Sequence, residues 1–245
     1  MTHQQIALVT GANTGLGKAI AESLAKNHGY HVIISSRDPA AGAAVATSLV
    51  SQGFSASSVA LDLQSDESIS NAVSSIRSQH GKLDVLVNNA GVNLEYIKPK
   101  DPITPRETFT KTFQANLIGP ALLTDALIPL LEQVDSPRVV FVSSNQASLT
   151  KTLDKSWYLY GLDIPAYKTS KAAVNMLALT YSVKLESMGG MCNAVCLGGV
   201  NTKMSGFHKD AETPENAAKK VVEMATLPKG GRTGTFEDTQ GAFPW

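Results

Sequence analysis

The sequence lacks an excess of charge of either sign. Its 21 lysines and arginines are balanced by 21 aspartates and glutamates, so the formal net charge at pH 7 is zero. It also has no basic stripe and no run of like charges. These absences argue against nucleic acid or an anionic membrane as the main partner.

Cysteine is scarce. The two cysteines, Cys192 and Cys196, lie on one apolar run with an even spacing, which places both on the same face of a strand. No histidine lies near them in the sequence. We therefore expect two buried free thiols rather than a disulfide or a metal pair, and we predict no metal site.

Long apolar runs are missing too, and none approaches the length that spans a membrane. Only five residues precede the first predicted strand, which leaves no room for a signal peptide. We therefore expect a cytoplasmic protein that does not enter a membrane. Its 245 residues are 43% hydrophobic and show no break in composition, which predicts a single domain over residues 1–245.

The sequence is organised around a glycine-rich stretch, Thr10–Gly17. The apolar run Ile6–Val9 before it predicts a buried strand, and the apolar positions after it repeat with helical periodicity. Glycines let such a turn approach a ligand closely, and the helix start offers unpaired N–H groups to a phosphate. The spacing differs from G-x-G-x-x-G, so a turn without a ligand remains an alternative. The predicted cofactor contacts are Gly11, Asn13, Thr14, Gly15, Leu16 and Gly17.

The second predicted strand, Tyr30–Ser35, ends in Ser36 and Arg37. In dinucleotide folds an acidic residue near this point holds the ribose 2′-OH, whereas an arginine accommodates a 2′-phosphate. Asp38 is accounted for as the N-cap of a helix that starts at Pro39. We therefore predict that Ser36 and Arg37 bind a 2′-phosphate, and that NADPH is preferred over NADH. An Arg37 that is merely solvated is the alternative.

Strands and helices continue to alternate further along the chain, which predicts a doubly wound parallel sheet, a Rossmann-type α/β fold. Asp62 and Leu63 follow the third strand, where they would flank an adenine; alternatively, Asp62 caps the helix that begins near residues 65–67. Asn89, Ala90 and Gly91 follow the fourth strand, at the sheet edge where such folds bind ligands. The predicted strands are 58–61, 83–87, 138–142 and 234–236, and the predicted helices are 39–50, 69–80, 107–132 (kinked near Gly119-Pro120) and 214–224.

Five motifs in this order resemble the short-chain dehydrogenase/reductase family over nearly the whole chain. They are Thr10–Gly17, Asn88–Gly91, Asn116, the Ser143-Ser144 pair after the fifth strand, and Tyr167–Lys171, which reads Tyr-Lys-Thr-Ser-Lys. The chain is most similar to the NADPH-dependent, carbonyl-reductase-like members. This resemblance implies hydride transfer between a nicotinamide cofactor and a carbonyl or alcohol.

The resemblance assigns roles to four residues. Tyr167 and Lys171 lie one helical turn apart and so share a face. Tyr167 would be the general acid, with its pKa lowered by the Lys171 ammonium and the bound nicotinamide. Lys171 would also hold the nicotinamide ribose, and Asn116 would hold a water that carries protons. Ser144 is chosen over Ser143 as the catalytic serine; alternation along a strand points the two to opposite faces.

The chain departs from the family pattern at two places. Ser144 and Tyr167 are further apart than usual, and the extra stretch, 151–164, is rich in aromatic residues. It either lines a substrate pocket, with Trp157 and Tyr160 as candidate contacts, or covers a helix face that other members use for dimers. The second departure is Leu197 before Gly198, where proline is usual.

The segment after the sixth strand is expected to hold the nicotinamide and to cover the substrate. By resemblance, Gly198, Val200 and Thr202 bind the carboxamide. Residues 202–214 are short and polar and are predicted to form a flap, with Met204 and Phe207 as candidate substrate contacts. A docked C-terminus is predicted from the apolar stretch 243–245.

Together these features predict an NADPH-dependent oxidoreductase that reduces a ketone or aldehyde, or runs the reverse oxidation. An apolar, aromatic or polyketide-like substrate is a hypothesis based on the aromatic residues near the insertion and flap. The alternatives are an isomerase or cyclase on the same fold, and an NADP(H)-binding protein without turnover. Whether the protein forms a homo-oligomer is left open.

Overall fold

A single sheet of eight strands organises the part of the chain that the computed structural model describes, residues 4–207 and 209–245. The strand order is β3-β2-β1-β4-β5-β6-β7-β8; all neighbours are parallel except β7 and β8. The predicted doubly wound α/β fold is confirmed. The strands are β1 Ile6–Val9, β2 His31–Ser36, β3 Ala56–Ala60, β4 Val85–Asn88, β5 Arg138–Val142, β6 Met191–Val195, β7 Phe236–Asp238 and β8 Gly241–Ala242.

Helices cover both faces of this sheet. They are α1 Gly15–His28, α2 Pro39–Ser51, α3 Asp66–His80, α4 Pro105–Phe113, α5 Gly119–Leu131, α6 Leu149–Leu153, α7 Pro165–Lys184 and α8 Pro214–Ala225. Alternation along β1 shows how the two faces are built, because Ala7 and Val9 join one apolar cluster and Ile6 and Leu8 the other. The first cluster packs against α1, α2 and α8, and the second against α3, α5 and α7.

Several of these helices are capped at the N-terminus by a side chain that accepts a backbone hydrogen bond. Asp38 accepts hydrogen bonds from the backbone of α2, as predicted, and Thr213 caps α8. The alternative prediction that Asp62 caps α3 is wrong, because Ser65 does so. Asp62 instead accepts a hydrogen bond from the amide of Gln64 at 3.0 Å.

The last strands differ from prediction. The sequence predicts a final strand over residues 234–236, but β7 starts only at Phe236 and is followed by a further strand, β8. The predicted docking of the C-terminus is confirmed: the Trp245 ring centroid lies 5.3 Å from that of Phe236, and its carbonyl accepts a hydrogen bond from the amide of Thr150.

A long helical stretch runs from Pro105 to Leu131, with a π-helical turn, Gln114–Ile118, between α4 and α5. The helical periodicity is therefore interrupted before Gly119 by a local change from α-helical to π-helical hydrogen bonding. This stretch has 27 residues and, by length and composition only, would suffice to cross a membrane, so the expectation that no run approaches that length is wrong. Half of the most apolar 18 residues of this stretch is buried inside the protein.

His31, at the start of β2, and His80, at the end of α3, lie next to each other. The rings of His31 and His80 lie 4.7 Å apart, and burial lowers the pKa of both; in His31 the neighbouring His80 adds to the effect. Because the pKa values in the folded state lie below the ordinary value of 6.5, the unfolded chain binds more protons as the pH falls.

We therefore expect the free energy of unfolding to decrease as the pH falls from about 7 to about 5, a window above the titration of ordinary carboxylates. His80→Gln should flatten this dependence. Urea unfolding at a series of pH values measures it. An equally steep pH dependence in the variant would contradict the assignment to this pair.

Candidate active site

A cleft of about 1310 Å³ opens at the carboxyl ends of the parallel strands. It lies across the point where the strand order reverses, between β1 and β4, which is where open α/β sheets bind dinucleotides. The walls are formed by the turn after β1, the ends of β2 to β5, the first turn of α7 and the segment after β6. The volume is sufficient for a dinucleotide together with a small substrate.

The glycine turn forms the floor of this cleft. Gly11 and Gly15 have φ values of +63° and +53°, which favour glycine. A Cβ on Gly17 would contact the carbonyl oxygen of Gly11 and lie 2.5 Å from Nδ2 of Asn89. The Thr10 hydroxyl accepts hydrogen bonds from the amides of Asn89 and Ala90, both at 2.9 Å. Thr10, which is not among the predicted site residues, thus joins the turn after β1 to the turn after β4.

The start of α1 has the features of an anion site. Thr14 is its N-cap residue but makes no side-chain capping bond, and the first turn contains no acidic residue. The backbone donors there are therefore not capped by the Thr14 side chain, and the positive end of the helix dipole favours a phosphate. Together with the glycine cradle, these residues fit a dinucleotide. Asn13 and Leu16 also line the cleft.

The tip of β2 lines the cleft with Ser36 and Arg37. Both Asp38 and Ser36 are engaged locally: Asp38 caps α2, and the Ser36 hydroxyl accepts a hydrogen bond from the Asp38 amide at 3.1 Å. Arg37 is exposed. Asp62 and Leu63, the predicted adenine contacts, line the cleft on the neighbouring side.

Tyr167 and Lys171 project from the first two turns of α7 into the cleft. Nζ of Lys171 donates a hydrogen bond to the carbonyl of Val142 at 2.7 Å and lies 5.9 Å from the centre of the Tyr167 ring. That the Lys171 ammonium and a bound nicotinamide lower the pKa of Tyr167 stays a prediction. Burial raises this pKa, and a hydrogen bond with Ser144 opposes the rise by less. Burial also lowers the pKa of Lys171 to about 8.

The two serines after β5 are turned to different surroundings. The Ser143 hydroxyl donates a hydrogen bond to Oδ1 of Asn175 at 2.6 Å, inside the protein. Ser144 instead faces Tyr167 and accepts a hydrogen bond from the amide of Gln146 at 3.2 Å. Both serines line the cleft, but of the two it is Ser144 that lies beside the phenol.

Asn116 lies in the π-helical turn, behind the wall formed by Gly91. Its carboxamide accepts a hydrogen bond from the amide of Val92 at 2.7 Å and donates to the Val92 carbonyl at 2.9 Å and to Ser170 Oγ at 3.0 Å. It is only 2% exposed, so it supports the loop after β4 rather than lining the cleft. Its role with a proton-carrying water remains a prediction.

The segment after β6 closes the far end of the cleft. Gly198, Val200 and Thr202 all line it, and a Cβ on Gly15 would lie 3.3 Å from the Thr202 methyl group. The predicted flap contains a short 3₁₀ helix, Lys203–Ser205, and Phe207 has a positive φ of 56°. Met204 and Phe207 line the cleft.

The insertion reaches the cleft, but through other side chains than predicted. Tyr158, Leu159, Leu162 and Ile164 are among the lining residues, whereas the two predicted candidates, Trp157 and Tyr160, are not. The chain turns tightly here, with the Tyr160 amide bonded to the carbonyl of Trp157 at 2.8 Å. No periodicity predicts which side chains such a turn presents. The Tyr158 hydroxyl lies 3.4 Å from Nδ2 of Asn145.

The strand order, the glycine cradle and the anion site define a Rossmann-type fold for a dinucleotide. Residues 5–213 match the family model described as short chain dehydrogenase. The chain belongs to the short-chain dehydrogenase/reductase family of oxidoreductases.

Similar proteins cover almost the whole chain. The short-chain dehydrogenase/reductase ATR10 of Stachybotrys chlorohalonatus is 33% identical over 99% of this chain and 94% of its own. Carbonyl reductase 1 (NADPH) of Bos taurus is 30% identical over 98% of both chains. A solved gluconate 5-dehydrogenase from Burkholderia cenocepacia J2315, in complex with NADP and tartrate, has a TM-score of 0.81 at 20% identity and covers 96% of this chain and 93% of its own, a likeness of fold.

Proposed function

We propose that this protein is an NADPH-dependent reductase of a ketone or aldehyde, able to run the reverse oxidation of the alcohol. The observation that carries the proposal is the meeting of Ser144, Tyr167 and Lys171 in the cleft that also holds the glycine cradle. The likeness to a mammalian carbonyl reductase (NADPH) supports it. A cytoplasmic location is part of the proposal.

When bound, NADPH supplies the hydride. Ser144 donates a hydrogen bond to the substrate's carbonyl oxygen, and Tyr167 gives that oxygen its proton as general acid. The raised pKa of Tyr167 keeps the phenol protonated at neutral pH, which suits it to reduction. Lys171, fixed by the Val142 carbonyl, holds the ribose hydroxyls.

The preference for NADPH rests on the tip of β2. Arg37 provides a cation that can meet a 2′-phosphate, and Asp38 is occupied as a helix cap rather than available to a ribose 2′-OH. The NADP in the gluconate 5-dehydrogenase structure is consistent with this preference.

Arg37→Ala should raise the KM for NADPH by roughly 10-fold or more, since a hydrogen bond to a charged group contributes about 1.5–3 kcal/mol. The KM for NADH should change little, because NADH has no 2′-phosphate. Initial-rate measurements with both cofactors decide this. Equal losses for NADPH and NADH would contradict a 2′-phosphate contact and favour a merely structural role for Arg37.

We further propose that the substrate is apolar or aromatic, of the kind found among polyketide-like metabolites. The substrate end of the cleft presents Tyr96, Tyr158, Leu162, Met204 and Phe207. Such side chains bury an apolar ligand and leave the polar reacting groups to orient it.

Tyr158→Ala should therefore raise the KM for a bulky aromatic ketone by roughly 10-fold, from the loss of apolar contact, with little effect on a small aliphatic one. Trp157→Ala is the matched control: it removes the neighbouring ring, which does not line the cleft, and should leave both values unchanged. A raised KM for the aromatic ketone in Trp157→Ala but not in Tyr158→Ala would support Trp157 as the substrate contact instead.

The experiment that tests the whole proposal is NADPH consumption by the purified protein with a panel of ketones, aldehydes and quinones. Turnover establishes carbonyl reduction. Tight NADPH binding without turnover on any carbonyl would favour an NADP(H)-binding protein. Conversion of a substrate without net NADPH consumption would favour an isomerase or cyclase.

A further inference from the structure

The helix that carries the proposed proton donor begins without a cap of its own. Ile164 occupies the N-cap position of α7, and its side chain makes no capping hydrogen bond. Pro165 has no N–H, and the Lys168 amide already bonds to the Ile164 carbonyl at 3.0 Å. The donors left over in the first turn are therefore the amides of Ala166 and Tyr167.

Glu95 supplies acceptors for both amides from a loop that lies 71 residues earlier in the chain than Ala166. Its Oε1 accepts the Ala166 amide at 3.1 Å, and its Oε2 accepts the Tyr167 amide at 2.8 Å. Hydrogen bonds to a carboxylate are stronger than neutral ones, and a negative charge at a helix N-terminus is favourable. A distant carboxylate thus completes the first turn of α7.

The loop that carries Glu95 is itself a wall of the cleft. Leu94 and Tyr96, on either side of Glu95, line the cleft. The loop is folded tightly, because Asn93 accepts the amides of Tyr96 at 3.1 Å and Ile97 at 2.9 Å. The Glu95 side chain is directed to α7 instead. It therefore connects the loop that lines the cleft to the helix that carries Tyr167.

We propose that Glu95 is a positioning residue, which holds the first turn of α7 so that the Tyr167 phenol faces Ser144 and the substrate carbonyl. The inference rests on the proposed reduction. Lys171, one turn further, is held independently by the Val142 carbonyl. A first turn that frays would therefore move Tyr167 relative to its partners, while the glycine cradle on the opposite wall would still bind NADPH.

The test compares the wild type with Glu95→Ala, Glu95→Gln and a matched control, Glu107→Ala. Glu107 also accepts a backbone amide at a helix start, that of Thr104 at 2.8 Å, but it caps α4 and is exposed. For each protein, kcat, the KM for a carbonyl substrate, the dissociation constant of NADPH, the melting temperature and the hydrogen exchange of the Ala166 and Tyr167 amides are measured.

We expect Glu95→Ala to lower kcat by about 10- to 100-fold, because a misplacement of about 1 Å costs this much, with KM and NADPH affinity within about twofold of wild type. The two amides should lose exchange protection. Glu95→Gln keeps an acceptor oxygen and should recover part of kcat. Glu95→Ala and Glu107→Ala should lower the melting temperature by comparable amounts, about 2–4 °C, but Glu107→Ala should keep the wild-type kcat.

Three results would overturn the proposal: an unchanged kcat in Glu95→Ala, an equal loss of kcat in Glu107→Ala, or amides of Ala166 and Tyr167 that stay protected without the carboxylate. If the wild-type protein reduces no carbonyl compound, the proposed function fails. The exchange measurement then decides separately whether Glu95 holds this turn.

Discussion

Tyr167→Phe is expected to lower kcat for carbonyl reduction by about 10²- to 10⁴-fold, the usual contribution of a positioned general acid. The change removes one oxygen atom, which lies beside Ser144 in the cleft. Folding and NADPH binding should therefore remain close to wild type. Single-turnover measurements at saturating NADPH separate the chemical step from binding.

Tyr181→Phe provides the matched control on the same helix. Tyr181 is also buried, at 3% exposure, and its hydroxyl donates to the Ala121 carbonyl at 3.0 Å, away from the cleft. Ala121 lies inside α5, where its carbonyl keeps an intrahelical donor, so the loss of the hydroxyl should cost only about 0.5–1.5 kcal/mol of stability, with no effect on kcat. A Tyr167→Phe variant that keeps a tenth or more of wild-type kcat would remove Tyr167 from the mechanism.

Much of the proposed catalytic arrangement follows from local sequence. The glycine turn requires residues without a side chain at fixed spacing between a strand and a helix, and Tyr167 and Lys171 share a face because they are four residues apart. The alternation of residues after β5 likewise separates Ser143 from Ser144. These features depend on short-range geometry, which is why the sequence predicts where they lie.

Features that depend on distant contacts could not be predicted in this way. Nothing in the sequence around Glu95 connects it to Tyr167, since the bond is formed only when the loop after β4 packs against α7. The burial that raises the pKa of Tyr167 is a feature of the same kind: the spacing of Lys171 is visible in the sequence, but the extent of burial is not. In the insertion, the tight turn decides that Tyr158 rather than Trp157 lines the cleft.

Gly119 shows the same limit in the fold. From the sequence, Gly119-Pro120 predicts a break in helix periodicity and a kink. In the structure Gly119 is where α5 passes the chain just beyond β3: a Cβ there would contact the carbonyl oxygen of Leu63 and lie 2.6 Å from its Cβ and 2.8 Å from its carbonyl carbon. Two of these atoms are backbone, so they cannot rotate away. The glycine is required by packing against a residue that lines the cofactor cleft.

Gly119→Ala is therefore expected to lower the free energy of unfolding by about 3 kcal/mol, at the upper end of overpacking costs. The melting temperature should fall by roughly 6–12 °C. Since the displaced Leu63 lines the cleft at the predicted adenine site, the variant should also bind NADPH more weakly while retaining its kcat at saturation.

Gly29→Ala separates this packing effect from the general cost of replacing a glycine. Gly29 ends α1 with a φ of +69°, and nothing lies within 4 Å of a Cβ built there. Backbone strain alone should cost about 1–2 kcal/mol, with NADPH affinity unchanged. If Gly119→Ala melts no lower than Gly29→Ala and binds NADPH like the wild type, the close approach of α5 to Leu63 does not support the cofactor site. If Gly119→Ala is the less stable of the two and alone loses NADPH affinity, the packing of α5 maintains the adenine wall of the cleft.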